Sequence, residues 1–289
     1  MILSGSHSQS LAARLAAATD HSLARVRYDR FPDGELCTAI DSVAEPAALA
    51  GEEAVVVCST VGSDAHLELL QLQDAAREAG AERVTTILPY MGYSRQDRAF
   101  KPGQPVSSRA VAQAISPGTD RVLVVSPHEP DIVDEFAVPC DIVDAAPRLA
   151  DPLPADLSAP VFVAPDEGAV DIAEHARDAY GSGAVDYFEK TRDYDTGEVA
   201  ISPGNVAVAD RDVVLVDDIV ATGSTMSEAI GALHGRDVND VYVVCVHPLL
   251  TGNARTKLET AGLAGIWATD TIERDVSATS VAPLLAEYL

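Results

Sequence analysis

A chain of 289 residues can bury a sizeable core and spans the length of two ordinary domains. Its 45 acidic residues against 20 basic ones leave a formal charge of −25, which repels nucleic acid and anionic membranes and excludes both as general partners. With 47% hydrophobic residues and its acids dispersed, the chain is also not an acidic disordered one. No apolar run reaches the ~18 residues a membrane helix needs, and residues 1–7 lack the basic start and apolar centre of a signal peptide, so a cytoplasmic protein is expected. Cys37, Cys58, Cys140 and Cys245 form no C-x-x-C pair and read as isolated thiols. Self-repulsion at this charge is relieved by concentrated salt, which points to a halophilic cytosol as the setting. Lysine occurs only at Lys101, Lys190 and Lys257, so each position is informative.

Ile2 and Leu3 predict a short first strand, and Leu11, Ala12, Leu15 and Ala16 a helix after it. Residues 23–28 alternate as a strand and run into Arg30-Phe31-Pro32-Asp33-Gly34-Glu35. That turn either exposes its one aromatic or forms a hairpin with Phe31 tucked inward. Residues 54–58 read as a buried strand, Leu69, Leu72, Ala76 and Ala79 as a helix ended by Gly80, and residues 84–88 as the next strand. Beyond it, Arg95 and Arg98 stand at a strand end in a very acidic chain, which suggests a phosphate-rich ligand over a merely solvated loop; a helix over 107–115 follows. Residues 122–125 form another buried strand ending near His128, a histidine that taken singly is more often structural than a ligand.

The Pro-, Ala- and Asp-rich run 139–160 suggests a domain boundary near 140–155. Residues 161–164 then read as a strand leading to Asp166 and Gly168, where Asp166 is either a helix cap or a metal ligand. Lys190 and Arg192 stand at the entrance to the polar stretch 194–205, which is expected to be a long loop closing over anionic charge. Later come strands at 241–246 and 266–269, a helix at 252–261, and a terminal packing helix.

Residues 213–225 read as strand, acidic tip, loop and helix. Val213-Val-Leu-Val216 is a buried strand, Asp217 and Asp218 stand at its end, and Ala221-Thr222-Gly223-Ser224-Thr225 turns into a helix marked by Met226, Ala229, Ile230 and Leu233. Thr225 with Glu228 has the spacing of a capping box, so the free N–H groups of the helix start should face the loop and suit a phosphate. The two carboxylates can accept hydrogen bonds from sugar hydroxyls or share a hard cation. A phosphorylated sugar fits this chemistry; an ordinary strand-to-helix turn would use the same residue types. The stretch also has an echo. Val55-Val-Val-Cys58 matches Val213-Val-Leu-Val216, and the next strands begin at Val84 and Val241, which suggests two copies of one α/β unit. In the first copy Ser59 and Thr60 replace the aspartates, and Asp64-Ala65-His66 replaces Thr222-Gly223-Ser224, so the sugar-phosphate chemistry is lost there.

Taken together, residues 31–35, 89–97, His128, Pro165-Asp166-x-Gly168, Lys190-x-Arg192 and 217–225 resemble, in order and over nearly the whole chain, the ribose-phosphate diphosphokinases, or phosphoribosyl pyrophosphate synthetases. The resemblance implies an α/β fold of two tandem type I phosphoribosyltransferase-like domains, each a mainly parallel sheet flanked by helices. A degenerate first domain on the ATP side would span 1–140, with helix 276–289 packed on it, and a ribose 5-phosphate domain 141–275. The implied reaction passes the diphosphoryl group of ATP to the 1-hydroxyl of ribose 5-phosphate, with Mg²⁺ as cofactor. Phe31, Asp33, Gly34, Glu35, Arg95, Gln96, Asp97 and His128 would bind ATP, the 31–35 turn reaching a neighbouring subunit's adenine pocket in an obligate oligomer. His128 and Asp166 would hold the metal. Asp217, Asp218, Ala221, Thr222, Gly223, Ser224 and Thr225 would hold ribose 5-phosphate, and Lys190 and Arg192 would be catalytic. Departures fall at Ala221, where relatives often have an acid, at Ser224, where they have Gly, and at Ser126, where they have Asp. The rival readings are a nucleobase phosphoribosyltransferase, which lacks the Lys-x-Arg pair and a second full domain, and a non-catalytic regulatory homologue.

The charge balance predicts that the melting temperature is higher in about 2 M KCl than in about 0.1 M. Equal stability at both would overturn the salt-adapted reading.

Overall fold

A computed structural model describes residues 1–41, 48–192, 199–203 and 207–289, without the side chains of 189–192 and 199–203. The chain divides into two compact units. The first comprises Met1–Asp144, Thr271–Glu273 and Val281–Leu289, the second Ala145–Asp270 and Arg274–Ser280.

In the first unit the chain runs through β1 (Ile2–Ser4), α1 (Gln9–Ala18), the hairpin β2 (Val26–Arg30) and β3 (Leu36–Ile40), β4 (Glu53–Val57), α2 (Ser63–Glu78), β5 (Arg83–Leu88), α3 (Ser107–Ile115), β6 (Arg121–Val125) and β7 (Cys140–Val143). β1, β4, β5, β6 and β7 form one parallel sheet in that order. Its central strands are buried along almost their whole length, which is why they read as unbroken runs such as Val55-Val-Val57 and Val122-Leu-Val-Val125. Leu69, Leu72 and Ala76 of α2 share the core with Val56, Val84 and Val124. The terminal helix Ala282–Ala286 packs against α1.

One expectation in this unit needs correction. The strand foreseen from residue 23 begins at Val26; Leu23 makes only an isolated bridge to Ile2, because the chain there still follows the edge of β1. Inside the Pro- and Ala-rich run, Cys140–Val143 forms the last strand of the sheet, with Cys140 paired to Val122 and Val143 to Val125.

The second unit contains β8 (Val161–Ala164), α4 (Val170–Tyr180), β9 (Ala184–Arg192), β10 (Val199–Pro203), β11 (Val213–Val220), α5 (Ser224–His234), β12 (Val241–Pro248), α6 (Ala254–Ala261), β13 (Gly265–Thr269) and β14 (Ser277–Thr279). The sheet order is β10-β9-β8-β11-β12-β13-β14, parallel except for the antiparallel β9–β10 pair. Its core joins Val213 and Leu215 of β11 to Ala229, Ile230 and Leu233 of α5 and Leu258 of α6. The long polar loop expected over 194–205 is therefore interrupted: residues 199–203 pair in register with β9, Val199 opposite Arg192 and Ile201 opposite Lys190. Residues 194–198 and 204–205 of that expected loop lie outside the described residues. No described helix is long and apolar enough to cross a membrane.

The loops after β4 and β5 in the first unit are clasped at one point. Thr60 N–H donates to the Tyr90 carbonyl at 2.9 Å, and Gly92 N–H donates to Thr60 Oγ1 at 2.9 Å. A Cβ at Gly92 would lie 2.1 Å from the Thr60 carbonyl oxygen. Gly92→Ala is expected to destabilise the protein by ~1–3 kcal/mol through backbone displacement, measurable as a fall in melting temperature at fixed KCl.

Candidate functional site

The second unit builds its site at the C-terminal end of the central strand β11, where ligands of open parallel sheets are held. Asp217 pairs in register with Cys245 of β12 and accepts a hydrogen bond at Oδ1 from Asp218 N–H at 3.0 Å. Asp218 is buried. Burial pushes the Asp217 carboxyl well above its usual 3.8, and the neighbouring charges of Asp218 and Asp166 push it further in the same direction. Such a carboxyl is eased by a partner that donates hydrogen bonds or carries positive charge.

The loop that follows is anchored from the β12–α6 connection: Leu250 N–H donates to Val220 O at 3.0 Å and Thr251 N–H to Ala221 O at 2.9 Å. Helix α5 begins at Ser224, two residues earlier than the Thr225–Glu228 capping box predicts, and no side chain caps it. Its N-cap is Gly223, with φ of 70° in the left-handed region, where glycine is favoured. Ser227 N–H is the first to return to the chain, donating to Gly223 O at 2.9 Å. The N–H groups ahead of it are the free donors of a helix start, an arrangement that attracts an anion. A Cβ at Gly223 would come within 3.2 Å of Ala254 O and 3.3 Å of Leu258 Cγ, so glycine also lets α6 close against the loop. From α6, Lys257 Nζ donates to Ser224 Oγ at 2.8 Å, and Thr222 Oγ1 donates to the same atom at 3.3 Å. Lys257 is the residue beside this loop that sequence reasoning did not place. Its signal was the scarcity of lysine, and its distance of 33 residues from Ser224 hid it.

Asp166 lies two residues beyond β8 and caps the short turn that follows, its Oδ1 accepting from Gly168 N–H at 3.2 Å. It also lies close enough to Asp217 to raise that carboxyl's pKa. Lys190 and Arg192 belong to β9; their side chains lie outside the described residues.

In the first unit, the equivalent of the acidic tip is consumed by the fold. Ser59 and Thr60 are fully buried; Ser59 Oγ donates to the Thr271 carbonyl and accepts from Ser8 Oγ at 3.1 Å, while Thr60 Oγ1 accepts from Gly92. His66, which replaces Ser224 in this copy, has its Nε2 buried without a partner among the described residues, and burial lowers its pKa to about 4, so the ring stays neutral. The Phe31–Glu35 turn is a hairpin tip with every residue exposed; Phe31 is 52% exposed rather than tucked inward, and Arg30 ties the tip to α2 through Asp64. Arg95 is exposed in the loop after β5. Gln96 holds that loop to the start of α3, accepting from Ser107 Oγ and donating to Pro105 O at 3.2 Å. Asp97 lines a cavity of about 150 Å³ with Glu129, Asp131 and Glu135. His128 stands exposed beyond β6, two residues after Ser126 with its φ of 35°. All four cysteines are free; burial pushes the Cys58 and Cys245 thiols far up and Cys140 to about 12, as suits unreactive core thiols.

Two α/β units with mainly parallel sheets, one of them carrying paired carboxylates near the end of its central strand, which runs on to Val220, before an uncapped helix, define a protein of the phosphoribosyltransferase type. A profile of the N-terminal domain of ribose phosphate pyrophosphokinase matches residues 1–117, and one of the phosphoribosyl transferase domain matches residues 141–280. The ribose-phosphate pyrophosphokinase of Halobacterium salinarum is 58% identical over 289 residues, covering 100% of both chains. That of Methanosarcina mazei is 41% identical, over 100% of this chain and 94% of the relative. The crystal structure of phosphoribosylpyrophosphate synthetase from Mycobacterium smegmatis matches with a TM-score of 0.84 at 27% identity, covering 100% of this chain and 96% of that one. The chain belongs to the ribose-phosphate pyrophosphokinase family. A salt-adapted surface accords with its similarity to a Halobacterium protein.

The raised Asp217 carboxyl makes a stability prediction. Its folded pKa exceeds the unfolded value, so the site adds no penalty below that value and an increasing one as pH rises toward the folded pKa. Asp217→Asn is therefore expected to raise the melting temperature of the ligand-free protein at pH about 8 by roughly 2 °C or more, and by less at pH about 5.

Proposed function

We propose that this chain transfers the diphosphoryl group of ATP to the 1-hydroxyl of ribose 5-phosphate. The sugar oxygen bonds to the β-phosphorus, the bond from that phosphorus to the AMP oxygen breaks, and the products are 5-phospho-α-D-ribose 1-diphosphate and AMP. The observation that carries this reading is the 58% identity over the full length of a ribose-phosphate pyrophosphokinase, joined to the acidic tip and open helix start of β11–α5. The two full units disfavour a nucleobase phosphoribosyltransferase.

In the proposed site, Asp217 and Asp218 accept hydrogen bonds from the ribose 2- and 3-hydroxyls, which relieves the burial of the first carboxyl. Residues 221–225 surround the 5-phosphate with helix-start N–H groups and hydroxyls. On the ATP side we assign Arg95, Gln96, Asp97 and His128. The exposed Phe31, with Asp33, Gly34 and Glu35, fits an adenine pocket shared with a second copy of the chain, because an exposed aromatic on a rigid hairpin gains most by being covered. Asp166 offers hard oxygen and His128 an exposed imidazole, and the mutual repulsion of Asp166, Asp217 and Asp218 suits a nearby cation. Magnesium held by His128 and Asp166 would neutralise polyphosphate charge. Lys190 and Arg192 are assigned to the charge that develops during transfer, since phosphoryl chemistry needs positioning and neutralisation more than covalent help. The strong negative charge suits a salt-rich cytoplasm as its setting.

Incubation with ATP, Mg²⁺ and ribose 5-phosphate in high KCl is expected to release AMP together with phosphoribosyl diphosphate; ADP instead would indicate ordinary kinase chemistry and overturn the reading. In the same assay Lys190→Ala is expected to lower kcat by ~10²-fold or more, with a modest change in ribose 5-phosphate affinity. Turnover close to that of the unaltered enzyme would remove Lys190 from the catalytic role.

A further inference from the structure

Lys257 is one of three lysines in a chain of net charge −25. It lies half-buried on α6, where no described carboxylate pairs with it, and its ammonium donates to Ser224 Oγ at 2.8 Å. A half-buried ammonium without a counter-ion is unusual in a protein with so many carboxylates to spare, and the fold has to bring it there. Gly223 lets Ala254 and Leu258 of α6 approach the loop backbone, which carries Lys257 to the first residue of α5.

The hydrogen-bond arithmetic at Ser224 then decides what this corner can hold. An ammonium group has only protons to give, so Ser224 Oγ must accept from Lys257. It also accepts from Thr222 Oγ1 at 3.3 Å. Both lone pairs of the hydroxyl are thereby engaged, and its own proton is the capacity that remains. A donating hydroxyl, an ammonium and a set of free helix N–H groups converge at one helix start, and all three are favoured by an acceptor bearing negative charge.

We propose that Lys257 is a binding residue for the 5-phosphate of the sugar substrate, supplying the full positive charge that the loop 221–225 lacks and holding the Ser224 hydroxyl as a donor to a phosphate oxygen. This rests on the reading of that loop as the sugar-phosphate site. A loop of neutral groups recruits a dianion weakly in concentrated salt, because long-range attraction is screened; a half-buried cation in contact range is screened far less. The specificity that follows is for the phosphorylated sugar over the free sugar.

The test compares the unaltered enzyme with Lys257→Gln, Lys257→Arg and Asp218→Asn in the same KCl, measuring ribose 5-phosphate affinity by calorimetry and KM for ATP. Glutamine keeps a donor for Ser224 and approximate length but removes the charge. Lys257→Gln is expected to weaken ribose 5-phosphate binding about 10- to 100-fold with KM for ATP changed less than about twofold, and Lys257→Arg to restore most of the loss. If Lys257→Gln binds the sugar phosphate as tightly as the unaltered enzyme while Asp218→Asn binds it weakly, Lys257 is a packing residue and the proposal fails alone. If neither substitution weakens binding, the loop is not the sugar-phosphate site and the underlying reading fails with it. Should Lys257→Gln lower the melting temperature, Ser224→Ala serves instead, with Lys257 retained. A several-fold loss of affinity is then expected, and no loss overturns the role given to the hydroxyl.

Discussion

A carboxylate held in the end of a buried parallel strand, against a second carboxylate, is the constraint to which the rest of the second unit answers. β11 lies between β8 and β12, and Asp217 near its end is only partly exposed, beside the buried Asp218. The folded protein bears the cost of that burial without ligand. Hydroxyls of a sugar, or a hard cation, are what lower it. A site whose polar groups are already oriented and partly buried needs little reorganisation to bind.

The features around β11 follow from the same demand. The chain has to leave the acidic tip and start a helix within a few residues, with the helix N–H groups left open for an anion. A side-chain cap would occupy one of those donors. Gly223 in the left-handed region starts α5 without one, and by lacking a Cβ it admits α6 close enough to deliver Lys257. Negative charge on one side of the loop and positive charge on the other would attract each other directly if the geometry allowed; instead the ammonium rests on a serine hydroxyl, and the site keeps both poles available.

The first unit shows what happens to a related strand end when the chemistry is withdrawn. Where the second unit has Asp217 and Asp218, the first has Ser59 and Thr60, whose hydroxyls are spent on Ser8, the Thr271 carbonyl and Gly92. Those bonds fasten the loops after β4 and β5 to each other and to the returning C-terminal segment. A hydroxyl can be satisfied inside a fold at little cost, whereas a carboxylate cannot. At this strand end the hydroxyls therefore serve as a structural clasp, while the hairpin tip and Arg95 stay exposed.

The sequence by itself determined the strand-loop-helix units and the place of the acidic tip. Burial on both faces of a parallel sheet imposes runs such as Val213-Val-Leu-Val216, and helix periodicity places Met226, Ala229, Ile230 and Leu233 on one face; both are local and legible. The ordered set of motifs likewise pointed to the family before any fold was known. What depends on contacts between distant residues was not legible. The capping box at Thr225 and Glu228 lost to Gly223 because the close approach of α6 governs the helix start. Residues 199–203 became a strand because β9 offered an edge to pair with, despite polar neighbours. Leu23 was denied a strand because only one bridge to Ile2 was within reach. Lys257, far from Ser224 along the chain and ordinary in its own helix, acquired its meaning only when two helices packed. Periodicity reports which face of an element is buried; only tertiary packing decides which distant side chain arrives at its end.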